Sequence, residues 1–66
     1  MKLRINGQDK DIANAASVAD LVNQLCKNPK HIISEINGRI IPNDQWAQIS
    51  LKDGDAIELV SFVGGG

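Results

Sequence analysis

The segment from Ser17 onward has the spacing of an amphipathic helix, and a helix of this kind constrains what the rest of the chain can form. Its apolar residues recur at i, i+3, i+4 and i+7 on one face: Val18, Leu21, Val22 and Leu25. The Ser17 hydroxyl can cap the first turn, and Asp20 stands where a capping-box acid would. Asn28 and Pro29 are predicted to end the helix, because proline disfavours helix in the residue before it. The apolar face needs another layer to cover it.

Before the helix, residues 2 to 6 alternate between apolar and polar side chains. Leu3 and Ile5 would point to the same side, which is typical of a strand with one buried face. Gly7 supplies a turn, and a second, weakly patterned strand could run to about Ala13. The two strands would form a hairpin.

After the helix, strands and turns alternate. The predicted segments are a strand over Ile32 to Ile36, a turn at Asn37 and Gly38, a short strand over Arg39 to Ile41, a helical turn within Asp44 to Ile49, a polar turn over Lys52 to Asp55 and a last strand over Ala56 to Val63. One main helix on one face of a mixed sheet is a two-layer α+β arrangement. With this order of elements, the β-grasp fold of ubiquitin is the natural candidate.

The chain has 66 residues, and a domain near this length buries only roughly 60% of the surface of its unfolded chain. We expect a single domain over residues 1–63 and a flexible glycine tail over residues 64–66. A deep, closed active site is hard to build on this scale. We therefore expect a protein that is not itself an enzyme.

The net charge and the cysteine content argue against several other classes of protein. The net charge of −1 gives no basic excess for a nucleic-acid backbone. Cys26 is the only cysteine, so an intramolecular disulfide is excluded and a reducing compartment is favoured. Neither a signal peptide nor an apolar run of membrane-spanning length is apparent. These features predict a cytoplasmic chain without a membrane partner, and nothing calls for more than a monomer.

The last strand has apolar residues on both faces. Ile57 and Leu59 would pack on the helix, whereas the other face is expected to meet water and carries Glu58, Val60 and Phe62. If the first and last strands pair, Lys2 and Arg4 would lie beside this apolar pair. Such a patch, rimmed by charge, is a common sign of a partner surface. Scattered exposed apolar residues are also normal, so both interpretations stay open here.

The last strand leads into Gly64, Gly65 and Gly66. Three extended residues can carry a terminal carboxylate about 10 Å beyond a sheet, and without Cβ atoms they can thread a narrow channel. That carboxylate is ionised at neutral pH, and it could attack the α-phosphate of ATP held by a partner. The resulting acyl-adenylate would be open to a sulfur nucleophile. The alternative for such a terminus is a frayed end without a role.

Other residues whose side chains could carry chemistry are better explained by structural roles. Cys26 lies beside the apolar stripe of the helix, which favours a half-buried thiol over a sulfur relay. His31 is the only histidine and cannot form a metal site by itself. Trp46 could anchor an interface, but a place in the core is favoured. Asp53 and Asp55 flank a glycine, which indicates a turn rather than a metal site.

Four segments resemble the ThiS family of sulfur carriers from bacterial thiazole (thiamine) biosynthesis. They are the INGRIIP stretch of Ile36 to Pro42, the DQWAQ stretch of Asp44 to Gln48, the KDGD turn of Lys52 to Asp55 and the C-terminal VGGG. The final glycines are shared with other ubiquitin-like carriers. The spacing of Pro42 and Trp46 is similar to that of ThiS within this group. The resemblance covers nearly the whole chain.

The resemblance implies a β-grasp carrier that partner enzymes act on. The carboxylate of Gly66 would be adenylated by a ThiF-type enzyme using Mg-ATP, with Gly64 and Gly65 threading the partner's active site. Sulfur from a donor enzyme would then give a thiocarboxylate, and a ThiG-type thiazole synthase would take the sulfur. The chain itself would bind neither metal nor cofactor.

Three alternatives remain at this point. The chain could serve another thiocarboxylate pathway, such as molybdopterin or cysteine synthesis, with the same chemistry at Gly66. It could be a ubiquitin-like modifier that is joined to lysines. It could also be a β-grasp binding module that docks a partner through Val60 and Phe62, with an inert tail.

Overall fold

The fold is seen in a computed structural model that describes residues 1–62; residues 63–66 lie outside the described part. The elements are β1 (Lys2–Ile5), β2 (Gln8–Asp11), α1 (Val18–Leu25), a 3₁₀ helix (Pro29–His31), β3 (Ile32–Ile36), β4 (Arg39–Ile41), a second 3₁₀ helix (Asn43–Gln48) and β5 (Ala56–Ser61). β3 and β4 have their expected bounds. β2 ends two residues earlier than predicted.

The strands form a five-stranded sheet in the order β2-β1-β5-β3-β4. β1 pairs with β5 in parallel, whereas β2 with β1, β3 with β4 and β3 with β5 are antiparallel. β5 is therefore the central strand although it follows all the others in sequence. A mixed sheet with one main helix confirms the predicted α+β arrangement.

The core lies between α1 and one side of the sheet, which we call the inner side. Leu3 and Ile5 of β1 and Ile57 of β5 are buried there, as the strand alternation predicts. Val18, Leu21 and Val22 of α1 are completely buried. Trp46 also belongs to the core, as expected, and its indole Nε1–H donates to the Ile41 carbonyl at 3.0 Å.

The helix begins where the sequence indicates. The Ser17 hydroxyl accepts from the Asp20 amide at 3.2 Å, and the Asp20 carboxylate accepts from the Ser17 amide at 3.1 Å. These two bonds form the predicted capping box.

The predicted helix end is wrong. α1 stops at Leu25, and Cys26 already has an extended backbone. Pro29 does not end α1 but begins the following 3₁₀ helix, in a position that needs no amide donor. Leu25 is 43% exposed instead of buried, so the apolar stripe of the helix is covered only as far as Val22.

Two asparagine–glycine turns hold β5 from both sides. Asn6 and Asn37 both adopt positive φ angles, 51° and 49°, and each is followed by a glycine that does so too. The Asn6 side chain accepts from the Leu59 amide at 2.8 Å and donates to the Leu59 carbonyl at 3.3 Å. The Asn37 side chain accepts from the Ala56 amide at 3.0 Å. Both asparagines therefore extend the ladder beyond their own strands.

The polar turn before β5 is present as predicted, and its acids bind backbone and side-chain amides. The Asp53 carboxylate accepts from the Lys2 amide at 2.6 Å. Asp55 accepts from the Lys52 amide at 2.9 Å and from the Asn37 side chain at 3.1 Å. These carboxylates fix the turn that starts the central strand.

Candidate functional site

The sequence places the reactive group at Gly66 and the threading residues at Gly64 and Gly65, all of which lie outside the described residues. What the structure does define is the strand that leads to them. Ser61 pairs with Ile32, and the Phe62 amide donates to the His31 carbonyl at 2.9 Å. The path of the chain is thus set by β3 up to Phe62.

The side of the sheet away from α1, which we call the outer side, carries exposed apolar residues on β5. Val60 is 54% exposed and Phe62 is 39% exposed. Glu58 points to the same side and is exposed as well. The predicted faces of the last strand are confirmed.

Two further apolar residues join this surface from the neighbouring strands. Ile33 lies directly opposite Val60 and is exposed, and Ile40 of β4 is 68% exposed. We call the set of Ile33, Ile40, Val60 and Phe62 the outer patch. Sequence reasoning missed Ile33 and Ile40, although the alternation of β3 around the buried Ser34 and Ile36 already places Ile33 on the far side.

An aromatic contact holds the end of the outer patch. The rings of His31 and Phe62 lie 5.9 Å apart with a tilt of 37°, a separation within the usual range for aromatic pairs. Together with the Phe62 backbone bond, this contact orients the side chain nearest to the tail. It also gives His31 a structural role at the start of β3.

The expectation that Lys2 and Arg4 rim the outer patch is wrong. In the parallel pairing of β1 with β5, Arg4 lies beside Ala56, at the opposite end of β5 from Val60. Arg4 instead approaches Asp9 of β2 at 3.9 Å. Strand alternation predicts the face of a side chain, but the register between two distant strands decides which neighbours it has.

Two of the residues next to the outer patch are acidic. Glu35 lies directly opposite Glu58 across the β3–β5 pair, and Ile40 lies beside Glu35 on the next strand. Residues opposite each other in an antiparallel pair have Cβ atoms about 4.5–5.5 Å apart. The outer side therefore combines apolar groups with two neighbouring carboxylates.

Cys26 behaves as a structural thiol. It borders a groove between the end of α1 and the sheet, beside Leu25, Ile32 and Leu59. Burial raises the pKa of the Cys26 thiol, which keeps the thiol protonated and a poor nucleophile. This agrees with the half-buried role predicted for it.

Within residues 1–62, no three histidine, cysteine, aspartate or glutamate side chains come together in a way that could hold a metal ion. Among the helices of this described range, none is long and apolar enough to cross a bilayer.

Comparisons with known proteins agree on one family. The model described as "ThiS family" matches residues 3–66. The sulfur carrier protein ThiS of Escherichia coli is 35% identical over the full length of both chains. ThiS of Bacillus subtilis is 37% identical over 97% of this chain and 98% of its own.

A larger relative and a solved structure extend this result. A thiazole synthase of Paramagnetospirillum magneticum is 36% identical over all 66 residues, and the chain spans 20% of that protein's length. The crystal structure of the thiamine biosynthesis protein ThiS from Geobacter metallireducens superimposes with a TM-score of 0.83 and 32% identity, covering all of both chains. The fold is thus the ubiquitin-like β-grasp, and the chain belongs to the ThiS family.

Proposed function

We propose that this chain carries sulfur for thiamine biosynthesis as a thiocarboxylate on Gly66. The observation that carries the proposal is the family match, which runs from residue 3 to residue 66 and includes the terminal glycines. Two relatives named as sulfur carriers support it over nearly their whole lengths. In this function the chain is a substrate for its partners and not a catalyst.

The proposed chemistry has two steps. The ionised Gly66 carboxylate attacks the α-phosphate of ATP, which forms an acyl-adenylate and releases pyrophosphate. Hydrosulfide supplied by a donor enzyme then attacks the acyl carbon, the bond from that carbon to AMP breaks, and AMP leaves with the bonding electron pair, which gives the thiocarboxylate. Mg-ATP is bound by the adenylating partner. The absence of Cβ atoms at Gly64, Gly65 and Gly66 suits entry into a narrow channel.

Partners are proposed to recognise the folded domain, which brings the tail to their active sites. Residues 63–66 can reach at most about 14 Å beyond Phe62, so an enzyme that acts on Gly66 must approach the end of β5. Val60, Phe62 and Glu58 are exposed at or near that end and are proposed as the recognition surface. Arg4 lies beside Ala56, nearer to Glu58 than to the apolar residues, so Lys2 and Arg4 do not flank Val60 or Phe62.

Two kinds of enzyme are proposed as the principal partners. A thiazole synthase is supported by the relative of that name, which includes a segment 36% identical to this chain. A ThiF-type adenylating enzyme is proposed because a carboxylate does not exchange oxygen for sulfur without activation, and adenylation supplies that activation. The enzyme that donates the sulfur is the third proposed partner.

Intact-protein mass spectrometry tests the proposal. The chain is incubated with a ThiF-type enzyme, Mg-ATP and a sulfur source, beside a variant that lacks Gly66. We expect a mass gain equal to one sulfur-for-oxygen exchange on the C-terminal peptide, absent from the variant. Cys26→Ser is the matched control, since a persulfide on Cys26 would add a whole sulfur atom and disappear in this variant.

The opposite result has a definite meaning. If an adenylating enzyme that is active on another carrier gives neither adenylate nor thiocarboxylate here, the sulfur-carrier proposal fails. The binding module with an inert tail would then explain the exposed face of β5 better.

A further inference from the structure

We propose that the outer patch and the Glu35–Glu58 pair form one docking surface for thiazole synthase, which inserts a lysine or arginine side chain between the two carboxylates. This inference rests on the proposed function and identifies the partner chemistry that the surface fits. It replaces the basic rim expected from the sequence by an acidic one.

The register of the sheet builds the surface in rows. His31 and Phe62 form the first row, Ile33 and Val60 the second, and Glu35 and Glu58 the third. Ile40 lies beside Glu35 and continues the third row onto β4. Apolar residues therefore lie at the end of β5 that leads to the tail, with both acids directly behind them.

Within residues 1–62, neither Glu35 nor Glu58 takes part in a salt bridge. Like charges directly opposite each other on a sheet are destabilising. A basic side chain placed between them would bond both carboxylates and remove this repulsion, so the pair favours a cationic partner.

The opposite end of the outer side differs in this respect. There Arg4 approaches Asp9 at 3.9 Å, and the N-terminal ammonium group approaches Asp11 at 3.4 Å. Each of these two acids therefore has a basic group of the same chain near it. The uncompensated negative charge lies next to the outer patch, where charge complementarity can orient an incoming protein.

A partner that acts on Gly66 has to approach the end of β5, where this surface begins. A partner that accepts sulfur from Gly66 holds an atom at most about 14 Å from Phe62. Phe62 and Val60, in the first two rows, are the exposed apolar side chains at that end of β5. An apolar centre with a basic group next to it would match the order of Phe62, Val60 and Glu58 along this strand.

Binding to the thiazole synthase encoded in the same genome tests the proposal. The double variant Glu35→Gln/Glu58→Gln is expected to raise the dissociation constant about 10-fold or more at low salt and to weaken its dependence on salt. The same variant should raise the melting temperature by about 1–8 °C, because it removes the repulsion between like charges. Val60→Ala tests the apolar part and should also weaken binding without lowering the melting temperature appreciably.

The matched control is Asp9→Asn/Asp44→Asn, which removes the same number of negative charges from exposed positions outside the surface. We expect this control to bind like the wild type. If both double variants weaken binding equally, net charge and not the Glu35–Glu58 pair is responsible, and the proposal is overturned.

Thiocarboxylate formation separates failure of this inference from failure of the proposed function. If the wild-type chain acquires the thiocarboxylate but Glu35→Gln/Glu58→Gln binds thiazole synthase as tightly as the wild type, only the docking inference is wrong. If weaker binding comes with a lower melting temperature, the pair is structural, which also overturns the inference. If the wild type forms no thiocarboxylate, the proposed function itself fails.

Discussion

The inner and outer sides of the sheet contain similar residues but differ in how far these residues are exposed to water. On β5, Ile57 faces α1 and is 1% exposed, whereas Val60 faces outward and is 54% exposed. Isoleucine recurs in the same way, with Ile36 buried and Ile33 and Ile40 exposed. Residue type alone therefore does not separate the core from the outer patch in a domain this small.

The difference follows from the single helix. α1 covers one side of the sheet, and in the described part of the chain no second layer covers the other side. The apolar residues of the outer side remain in contact with water, where they contribute little to folding. They are available to a partner at little cost in stability.

The largest effect is expected from breaking the inner side. Ile57→Ala should lower the free energy of unfolding by about 2–5 kcal/mol, because it leaves a cavity under α1 in the centre of the sheet. Urea denaturation measures this change. The matched variant Ile40→Ala, on the outer side, should change stability by about 0.5 kcal/mol or less. Equal losses in the two variants would contradict the division between the sides.

A second test concerns the one buried polar side chain of the described core. Ser34 is completely buried on the inner side, and its hydroxyl has no hydrogen-bond partner within residues 1–62. Ser34→Ala should therefore raise the free energy of unfolding by about 1–3 kcal/mol. Ser61→Ala, at an exposed position of β5, is the control and should have almost no effect. A loss of stability in Ser34→Ala would show that the hydroxyl is bonded after all.

Much of this architecture could be predicted from the sequence, because its signals are local. The capping box of Ser17 and Asp20 indicates the helix start, and the turn at Asn37 and Gly38 indicates the β3–β4 hairpin. Such patterns involve residues a few positions apart. Each specifies its own geometry without reference to the rest of the chain.

The parts that could not be predicted depend on distant contacts. Arg4 and Ala56 are neighbours only because β1 and β5 pair in parallel, and no local pattern specifies that register. Leu25 continues the periodicity of α1 but lies beyond the area that the sheet covers. The composition of the candidate surface therefore required the structure, whereas the reactive tail could be proposed from its glycines.

The asparagine that braces β5 gives a third, smaller effect. Asn6→Gly keeps the positive φ angle but removes both side-chain bonds to Leu59, and it should cost about 1–2 kcal/mol of stability. Hydrogen exchange at the Leu59 amide should become faster. Asn14→Gly is the control, since Asn14 also has a positive φ angle and makes no side-chain hydrogen bond to residues 1–62. Similar exchange rates in both variants would argue against the brace.

The smallest effect concerns the helix that creates the inner side. The amides of Ala16 and Ser17 donate to Asp20 and lower the pKa of its carboxyl group. Because the folded pKa lies below the unfolded one, the stability from this group is complete above about pH 4. It is lost as pH falls through the lowered value.

Denaturation at several pH values below 5 measures this contribution. Asp20→Asn should show a flatter decline in stability with acid than the wild type does. The variant Asp44→Asn alters an exposed carboxylate elsewhere and should follow the wild-type curve. If Asp20→Asn also follows that curve, the capping box does not contribute to the acid sensitivity.

The two asparagine–glycine turns also limit the chemical lifetime of the protein. Asparagine followed by glycine is the pair most prone to deamidation, since the small neighbour lets the backbone nitrogen attack the side-chain amide. Conversion of Asn37 to aspartate would place a second carboxylate against Asp55, where an amide now donates at 3.1 Å. In the folded chain the side chains of Asn6 and Asn37 are both held in hydrogen bonds. Deamidation should therefore be faster in unfolded molecules. Peptide mapping of stored samples would show whether damage at positions 6 and 37 accumulates fastest in destabilised variants such as Ile57→Ala.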